Sequence, residues 1–377
     1  MEYKKISELT TVVTGGTPST SNAEYWNYGD IPWLQSGCCQ NCDVDSAEKY
    51  ITQLGYDNSS TKMMPPNTVM IALTGATAGK VGYLNINACG NQSITGILPS
   101  ENLNQRYLFY YLMFKRPQIL ADCIGGAQPH ISQGYVKNIL IPVLPMEKQK
   151  EIALAFSKLD NLLNSRNQQV EKLDQLVKSR FIELFGDPKY NKSNLVRIGE
   201  IGALTSGGTP SRAKPEYFEG DIRWYSAGEL NSLYLPDSVE HISERALQQS
   251  SAKLFNKGTL MIGMYDTAAF KMGILTEDSS SNQACANLNP KQGYNIVWLY
   301  YLFDIMKPIF LQERQGVRQK NLSLSKIKEF EVPFAPFELQ EQFATFVEQT
   351  DKSKFDIQQS IDKLETLKKS LMQQYFG

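Results

Sequence analysis

A chain of 377 residues is too long for one ordinary core, so its length points to two or three domains. Hydrophobic residues at 42% and charged ones at 20% give the balance of a folded globular protein and exclude a disordered one. A net charge of -1 argues against a protein that grips nucleic acid by a broad basic face alone, because phosphate neutralisation dominates such binding.

The opening MEYKKISELT lacks the apolar stretch of a secretion signal, and no apolar run approaches the roughly 20 residues of a membrane span. The expected compartment is the cytoplasm. Next comes Gly15-Gly16-Thr17-Pro18-Ser19, which by itself reads as a tight turn in which glycine supplies positive φ and proline fixes the following φ. Six cysteines (Cys38, Cys39, Cys42, Cys89, Cys123 and Cys285) form no paired framework and are expected as free thiols. The C-x-x-C spacing inside 38–42 lacks the second ligand pair that zinc requires.

A β-rich run over 69–73 precedes Gly75-Ala76-Thr77-Ala78-Gly79-Lys80, which resembles a phosphate-binding loop but is followed by Val81 where a hydroxyl residue is needed. An NTP site is therefore not expected. Asn91-Gln92 sets two amides side by side, suited either to the edge of an adenine or to structural hydrogen bonds. Residues 107–120 read as a helix, and 125–132 as a polar loop. Pro142 and Pro145 then close a strand-like segment. Beyond them apolar residues at Ile152, Phe156, Leu159, Leu163, Val170, Leu173, Val177 and Leu184 alternate steps of three and four, with arginine stems filling gaps. That is a heptad seam on a helix of some 34 residues, about 50 Å long and longer than a lobe is wide, so it must find another helix.

The second half repeats the first. Gly207-Gly208-Thr209-Pro210-Ser211 follows the opening turn by 192 positions, and after a one-residue deletion the displacement is 191. That pairs Trp33 with Trp224, Lys80 with Lys271, Asn91-Gln92 with Asn282-Gln283, Gln149 with Gln340, and Phe185-Gly186 with Phe376-Gly377. The helical stretch recurs around 299–311. The seam recurs at Phe343, Val347, Thr350, Ile357, Ile361, Leu364 and Leu371, interrupted by Lys354 and Lys368. The polar loop recurs as 315–323 with changed content, as a readout loop should when scaffold is kept and target changes. Residues 1–145 carry 9 basic and 10 acidic side chains, and residues 190–335 carry 16 and 15. Neither lobe is strongly charged, so partner subunits would have to supply much of any electrostatic grip on DNA.

No amino-methylation motif, glycine-rich cofactor loop or nuclease-type acidic cluster is present, and His130 and His241 are the only histidines. Binding rather than catalysis is the expected function. The Gly-Gly-Thr-Pro-Ser turns, the Gly-Asp-Ile-x-Trp strands, the Asn-Gln elements, the Ile-Ser or Leu-Ser before the proline pair and the Pro-x-Glu-x-Gln helix starts together resemble the specificity subunit of type I restriction-modification enzymes, over essentially the whole chain. Two departures stand out. The usual Glu-Gln of the helix start reads Lys148-Gln149 and Leu339-Gln340, and the second lobe lacks the Gly-Lys of the first.

The resemblance implies an α+β fold with two pseudo-repeated mixed α/β target recognition domains, separated by two long helices that form an antiparallel coiled coil and hold the lobes apart. The expected bounds are 1–145 and 188–335 for the recognition domains, with 146–187 and 336–377 as helical spacers. It implies a non-catalytic subunit whose lobes each read half of a bipartite double-stranded DNA target. Two modification subunits would bring S-adenosylmethionine, restriction and translocase subunits would bring ATP and Mg, and this chain would hold no cofactor or metal. Residues expected to touch DNA are Thr17, Ser19, Lys80, Asn91, Gln92, Gln128, His130 and Ser132 in the first lobe. In the second they are Thr209, Ser211, Arg212, Lys271, Asn282, Gln283, Arg318, Lys320 and Ser323, with Arg318 suited to a guanine edge and Lys320 to phosphate. Two rival readings are a single-chain methyltransferase and a tandem carbohydrate binder using Trp33 and Trp224.

Overall fold

The structure, a computed structural model, describes residues 2–122, 130–314 and 321–377. It divides into two compact units, Met1–Asn167 with Gln359–Gly377, and Gln168–Gln358. Each unit holds one mixed α and β lobe and a part of both long helices, Met146–Phe185 and Phe337–Phe376.

In the first unit the apolar runs between Gly, Asn and Pro breakers become strands buried along their whole length, as at Val69–Ala72, Val81–Leu84 and Ile94–Ile97. They join Val12–Thr14 and Cys42–Val44 in a five-stranded sheet ordered 12–14, 94–97, 69–72, 81–84, 42–44. Only the last pairing is parallel. A smaller sheet places Ile31–Leu34 between Lys49–Ile51 and Cys89–Gly90. Glu2–Lys5 pairs antiparallel with Leu140–Val143.

The second unit repeats this topology. Its five-stranded sheet runs 202–206, 285–290, 260–263, 272–274, 231–234, again with one parallel pairing at the edge. Its smaller sheet gains a fourth strand, Leu254–Phe255, where the first unit has only the bridge between Met64 and Ala88.

Helix Gln105–Ala121 covers one face of the first sheet, capped by the Asn104 side chain, which accepts the Tyr107 N–H. Ile296–Phe310 does the same in the second unit, with Asn295 accepting from Val297 and Trp298. Each long helix starts directly after its proline pair and is anchored by a buried glutamine. Gln149 Oε1 accepts the Asn104 N–H at 2.9 Å, and its Nε2 donates to the Leu144 carbonyl at 2.8 Å. Gln340 repeats both bonds with Asn295 and Ala335 and adds the Gly293 carbonyl. One amide thus ties the start of the long helix to the cap of the lobe helix.

Each long helix spans 40 residues, somewhat longer than the heptad pattern alone suggests. In the first unit Ile152, Phe156 and Leu159 are buried, and the Phe376 ring stacks on Phe156 at 5.8 Å and meets Tyr107 at 5.5 Å. In the second Val177 and Phe181 are buried with Phe343 and Val347, and Phe185 meets Trp298 at 5.9 Å. Within each unit the residue number rises along one helix as it falls along the other, so the pair runs antiparallel. Ile361 is buried, and Leu163, Val170, Leu173, Leu184, Ile357, Leu364 and Leu371 are half-buried along the same seam. Lys354 and Lys368, the apparent interruptions, reach across to the other helix and pair with Asp174 and Asp160 at 2.5 Å each. Among the described residues no helix is long and apolar enough to cross a membrane.

Candidate nucleic-acid interface

The antiparallel strands of the five-stranded sheet bring three separate loops to one end. In the first unit Thr14, Ala72, Val81 and Ile94 all lie at that end, because Thr14 pairs with Thr95, Ala72 with Ile94 and Ile71 with Val81. The Gly-Gly-Thr-Pro turn, the 75–80 loop and the Asn-Gln turn therefore emerge side by side. Ile131 N–H donates to the Leu73 carbonyl, and His130 bridges Thr74, which adds the segment before Ser132. The second unit assembles the same set, with Leu322 N–H donating to the Met264 carbonyl.

The two glycines serve close approach rather than the expected positive φ, since neither Gly15 nor Gly16 adopts it. A Cβ on Gly15 would lie 2.1 Å from the Gly90 carbonyl oxygen, and one on Gly207 would lie 2.3 Å from that of Ser281. Gly16 N–H bonds the Gly90 carbonyl, and the Trp33 indole N–H donates to the Gly16 carbonyl at 2.9 Å. Trp224 repeats this with Gly208 at 3.0 Å. Both tryptophans are 3% exposed, so they are core side chains and form no sugar platform. The turn is thereby pressed onto the Asn-Gln segment. Thr17 Oγ1 donates to Gln92 Oε1, and Thr209 Oγ1 to Gln283 Oε1. Asn91 Oδ1 accepts the Ser93 N–H, and Asn282 Oδ1 accepts that of Ala284.

Positive φ appears instead in the lysine loop, at Gly75 and Gly79 and, in the second unit, at Asp266 and Phe270. The backbone is kept while the side chains change. Gly79 N–H bonds the Ala72 carbonyl and Phe270 N–H that of Gly263, and the following lysines make matching bonds in both units. Phe270 tolerates φ 52° because its ring is fully buried against Phe310 and Phe330. Lys80 Nζ donates to Gln40 Oε1 at 2.6 Å, whereas the Lys271 side chain has no ion pair or hydrogen bond among the described residues.

Ser132 and Ser323 act as helix N-caps, accepting from Tyr135 and Lys326. Ser19 is exposed with its hydroxyl on Ser21, and Ser211 is exposed. Arg212 donates from both terminal guanidinium nitrogens to the Glu240 carboxylate and lies over the Phe218 ring at 4.4 Å. That hydrogen bond raises the guanidinium and lowers the carboxyl from their ordinary values. Gln128, Arg318 and Lys320 lie outside the described residues. Sequence reasoning missed Gln40 and Asn321, whose Oδ1 accepts the Asp266 N–H at 3.0 Å. It also missed Glu240, for which no local pattern signals a partner 28 residues from Arg212. The five described cysteines are free thiols, and no group of metal-ligating side chains occurs among the described residues.

The family model described as "Type I restriction modification DNA specificity domain" matches residues 1–172 and 190–368. The MjaIX specificity subunit of Methanocaldococcus jannaschii is 26% identical over 282 residues, covering 69% of this chain and 65% of that relative. The EcoR124I/EcoR124II specificity subunit of Escherichia coli is 29% identical over 186 residues, covering 48% of this chain and 46% of the relative. The matches thus span about two thirds and about half the length of those relatives. The S subunit from M. genitalium shares the fold at a TM-score of 0.59 and 17% identity, over 98% of this chain and 94% of that one. A chain from work on complex assembly and conformational transition of the type I R-M system does so at 0.62 and 15%, over 100% and 97%. With its model matched in both halves of the repeat, this chain belongs to the type I restriction modification DNA specificity domain family.

Proposed function

We propose that the chain reads DNA sequence for a type I restriction-modification complex, each lobe recognising one half of a bipartite double-stranded target. One observation carries this reading. In each unit the Gly-Gly-Thr-Pro turn, the lysine loop, the Asn-Gln turn and the segment before Ser132 or Ser323 meet at the same end of the sheet, and two of these change side chains while their described backbone bonds are kept, Gly75 against Asp266, Gly79 against Phe270 and His130 against Asn321. A constant frame with variable tips is what reading two different half-sites demands. The curated relatives, both named specificity subunits, support it.

In this reading the chain is non-catalytic, binds no cofactor, and works in the cytoplasm with two modification subunits that carry S-adenosylmethionine. Restriction and translocase subunits bring ATP and Mg. The recognition domains are 1–145 and 188–335, and the helices of 146–187 and 336–377 set the spacing and dock the modification subunits. Arg318 is assigned to a base edge and Lys320 to a phosphate. The test is methylome sequencing of a host with and without the gene. A two-part motif methylated only when the gene is present is expected. An unchanged methylome, together with a purified complex that prefers no duplex, would overturn the proposal.

A further inference from the structure

Outside the variable tips, each lobe repeats one small device that the sequence reading left undecided between an adenine reader and a structural link. Thr17 hydroxyl donates to the Gln92 side-chain oxygen, and Thr209 to that of Gln283. The acceptor end of each glutamine is thereby turned inward. Its two Nε2 N–H donors have no partner among the described residues, and both glutamines are exposed. The adjacent asparagines have their oxygens bonded to backbone N–H groups of Ser93 and Ala284. Bidentate recognition of adenine needs the oxygen and the nitrogen of one amide on one base edge. Neither amide of either pair offers that combination outward.

From this geometry we infer that the Thr17–Gln92 and Thr209–Gln283 pairs are phosphate clamps, each presenting locked amide N–H donors to a phosphodiester oxygen of the DNA backbone. The inference rests on the proposed DNA-reading function. A group kept in side chain, partner and orientation between two lobes that read different bases must face what the two half-sites share, and the phosphate is identical in every sequence. The close approach that excludes a Cβ at Gly15 and Gly207 fixes the threonine, and the threonine fixes the amide. The donor is ordered before DNA arrives, so little side-chain freedom is lost on binding. Because glutamine is neutral, the contact releases no counterion of its own.

The full chain with its modification subunits is titrated with two duplexes, one carrying the motif found in the methylome and one of equal length without it. Gln283→Ala weakens both by about the same factor, roughly tenfold for a hydrogen bond to an anion. The slope of log affinity against log salt stays as in the parent, whereas Lys271→Ala flattens it by about 0.9. Gln283→Glu, which faces a carboxylate to the phosphate, binds more weakly than Gln283→Ala. In the parent, a methylphosphonate at one backbone position per half-site produces a comparable loss, and at the second half-site it adds nothing further in Gln283→Ala. Loss of discrimination at a single base pair would make Gln283 a base reader, and unchanged affinity for both duplexes would make the pair structural. Either result overturns the inference while the DNA-reading function stands. A parent complex indifferent to the two duplexes would overturn both.

Discussion

Phe270 holds a left-handed conformation that costs an L side chain about 1–2 kcal/mol, at the position where the first unit has Gly79. Against that strain stands a ring that is 0% exposed, 4.7 Å from Phe310 and 6.1 Å from Phe330. Truncating a buried phenylalanine costs about 3–5 kcal/mol, so burial outweighs strain and the phenylalanine persists. Phe270→Ala removes the ring and keeps the strain, and should lose that full amount. Phe270→Gly removes both, at the expense of about 0.4–1 kcal/mol of extra freedom in the unfolded chain. The glycine variant should therefore be the more stable of the two by about 0.5–1 kcal/mol, the reverse of their order inside a regular helix or strand. A chain with two compact units need not unfold in one step, so the readout is amide exchange under urea. Peptides of the second sheet report the effect, and those of the first sheet serve as internal reference. An alanine variant as stable as the glycine variant, or both within 1 kcal/mol of the parent, would refute the balance of strain and burial.

Gln340→Leu keeps volume but strips partners from the Asn295 N–H and the Ala335 carbonyl; a loss of about 2–4 kcal/mol is expected, with exchange rising at the start of helix 296–310, and an unchanged urea midpoint would count against the anchor. Lys368→Ala leaves Asp160, among the described residues, with its Tyr110 hydroxyl bond alone and should destabilise the first unit by about 1–2 kcal/mol. Replacing both Lys368 and Asp160 by leucine should recover most of that, since Phe156, Leu159, Leu163, Leu364 and Leu371 line the seam within this unit, and a double variant worse than the single one would show the ion pair to be required. The hydrogen bond from Cys39 holds the Cys38 thiol below its ordinary value, while the same bond and burial push Cys39 up. At mildly alkaline pH the thiolate fraction is therefore larger at Cys38, and iodoacetamide with peptide mass spectrometry should label it well before Cys39. Equal labelling rates would contradict the assignment.

The duplication, both long helices and their seam were legible because they are periodic, and periodicity survives in one dimension. What escaped was whatever depends on residues far apart in sequence becoming neighbours. Lys354 and Lys368 read as flaws in a heptad, yet each is completed by an aspartate on the other helix. Phe181 and Phe376 fall outside the heptad register and are nonetheless core, because near the helix ends the long helices pack against lobe side chains as well as against each other. The paired glycines were legible as a turn, but their cause lies far along the chain, where a Cβ on Gly15 or Gly207 would meet the Gly90 or Ser281 carbonyl and one on Gly16 or Gly208 would meet Ser60 or Ser251. Gln149 and Gln340 stood out only as a coincidence between halves. Their role needs the cap residue and the helix start in one frame. The lysine loop misleads in the opposite direction, since losing both glycines suggests a changed backbone where φ and hydrogen bonding are retained.

That retained loop gives its two lysines different surroundings, and the difference is traceable to one methylene. Gln40 donates to the Gly37 carbonyl and accepts from Lys80, while Asn231 makes the matching bond to the Gly228 carbonyl and leaves Lys271 without a hydrogen-bonded partner among the described residues. A neutral amide does not remove the charge of Lys80, so under the proposed DNA-reading function both lysines would neutralise a phosphate equally well at long range. They differ in how much must be broken before a short contact forms. Asn231→Gln restores the longer side chain and should capture Lys271 as Gln40 captures Lys80. Binding through the second half-site should then weaken by about two- to threefold, the equivalent of a modest net hydrogen bond. The salt slope should stay the same, because no charge is lost. The complementary change, Gln40→Asn, should strengthen binding through the first half-site by a similar factor. Titration of duplexes altered in one half-site at a time reads both effects. If Asn231→Gln flattened the salt slope, or if both substitutions moved affinity in the same direction, the tether at Gln40 would not be what distinguishes the two lysines.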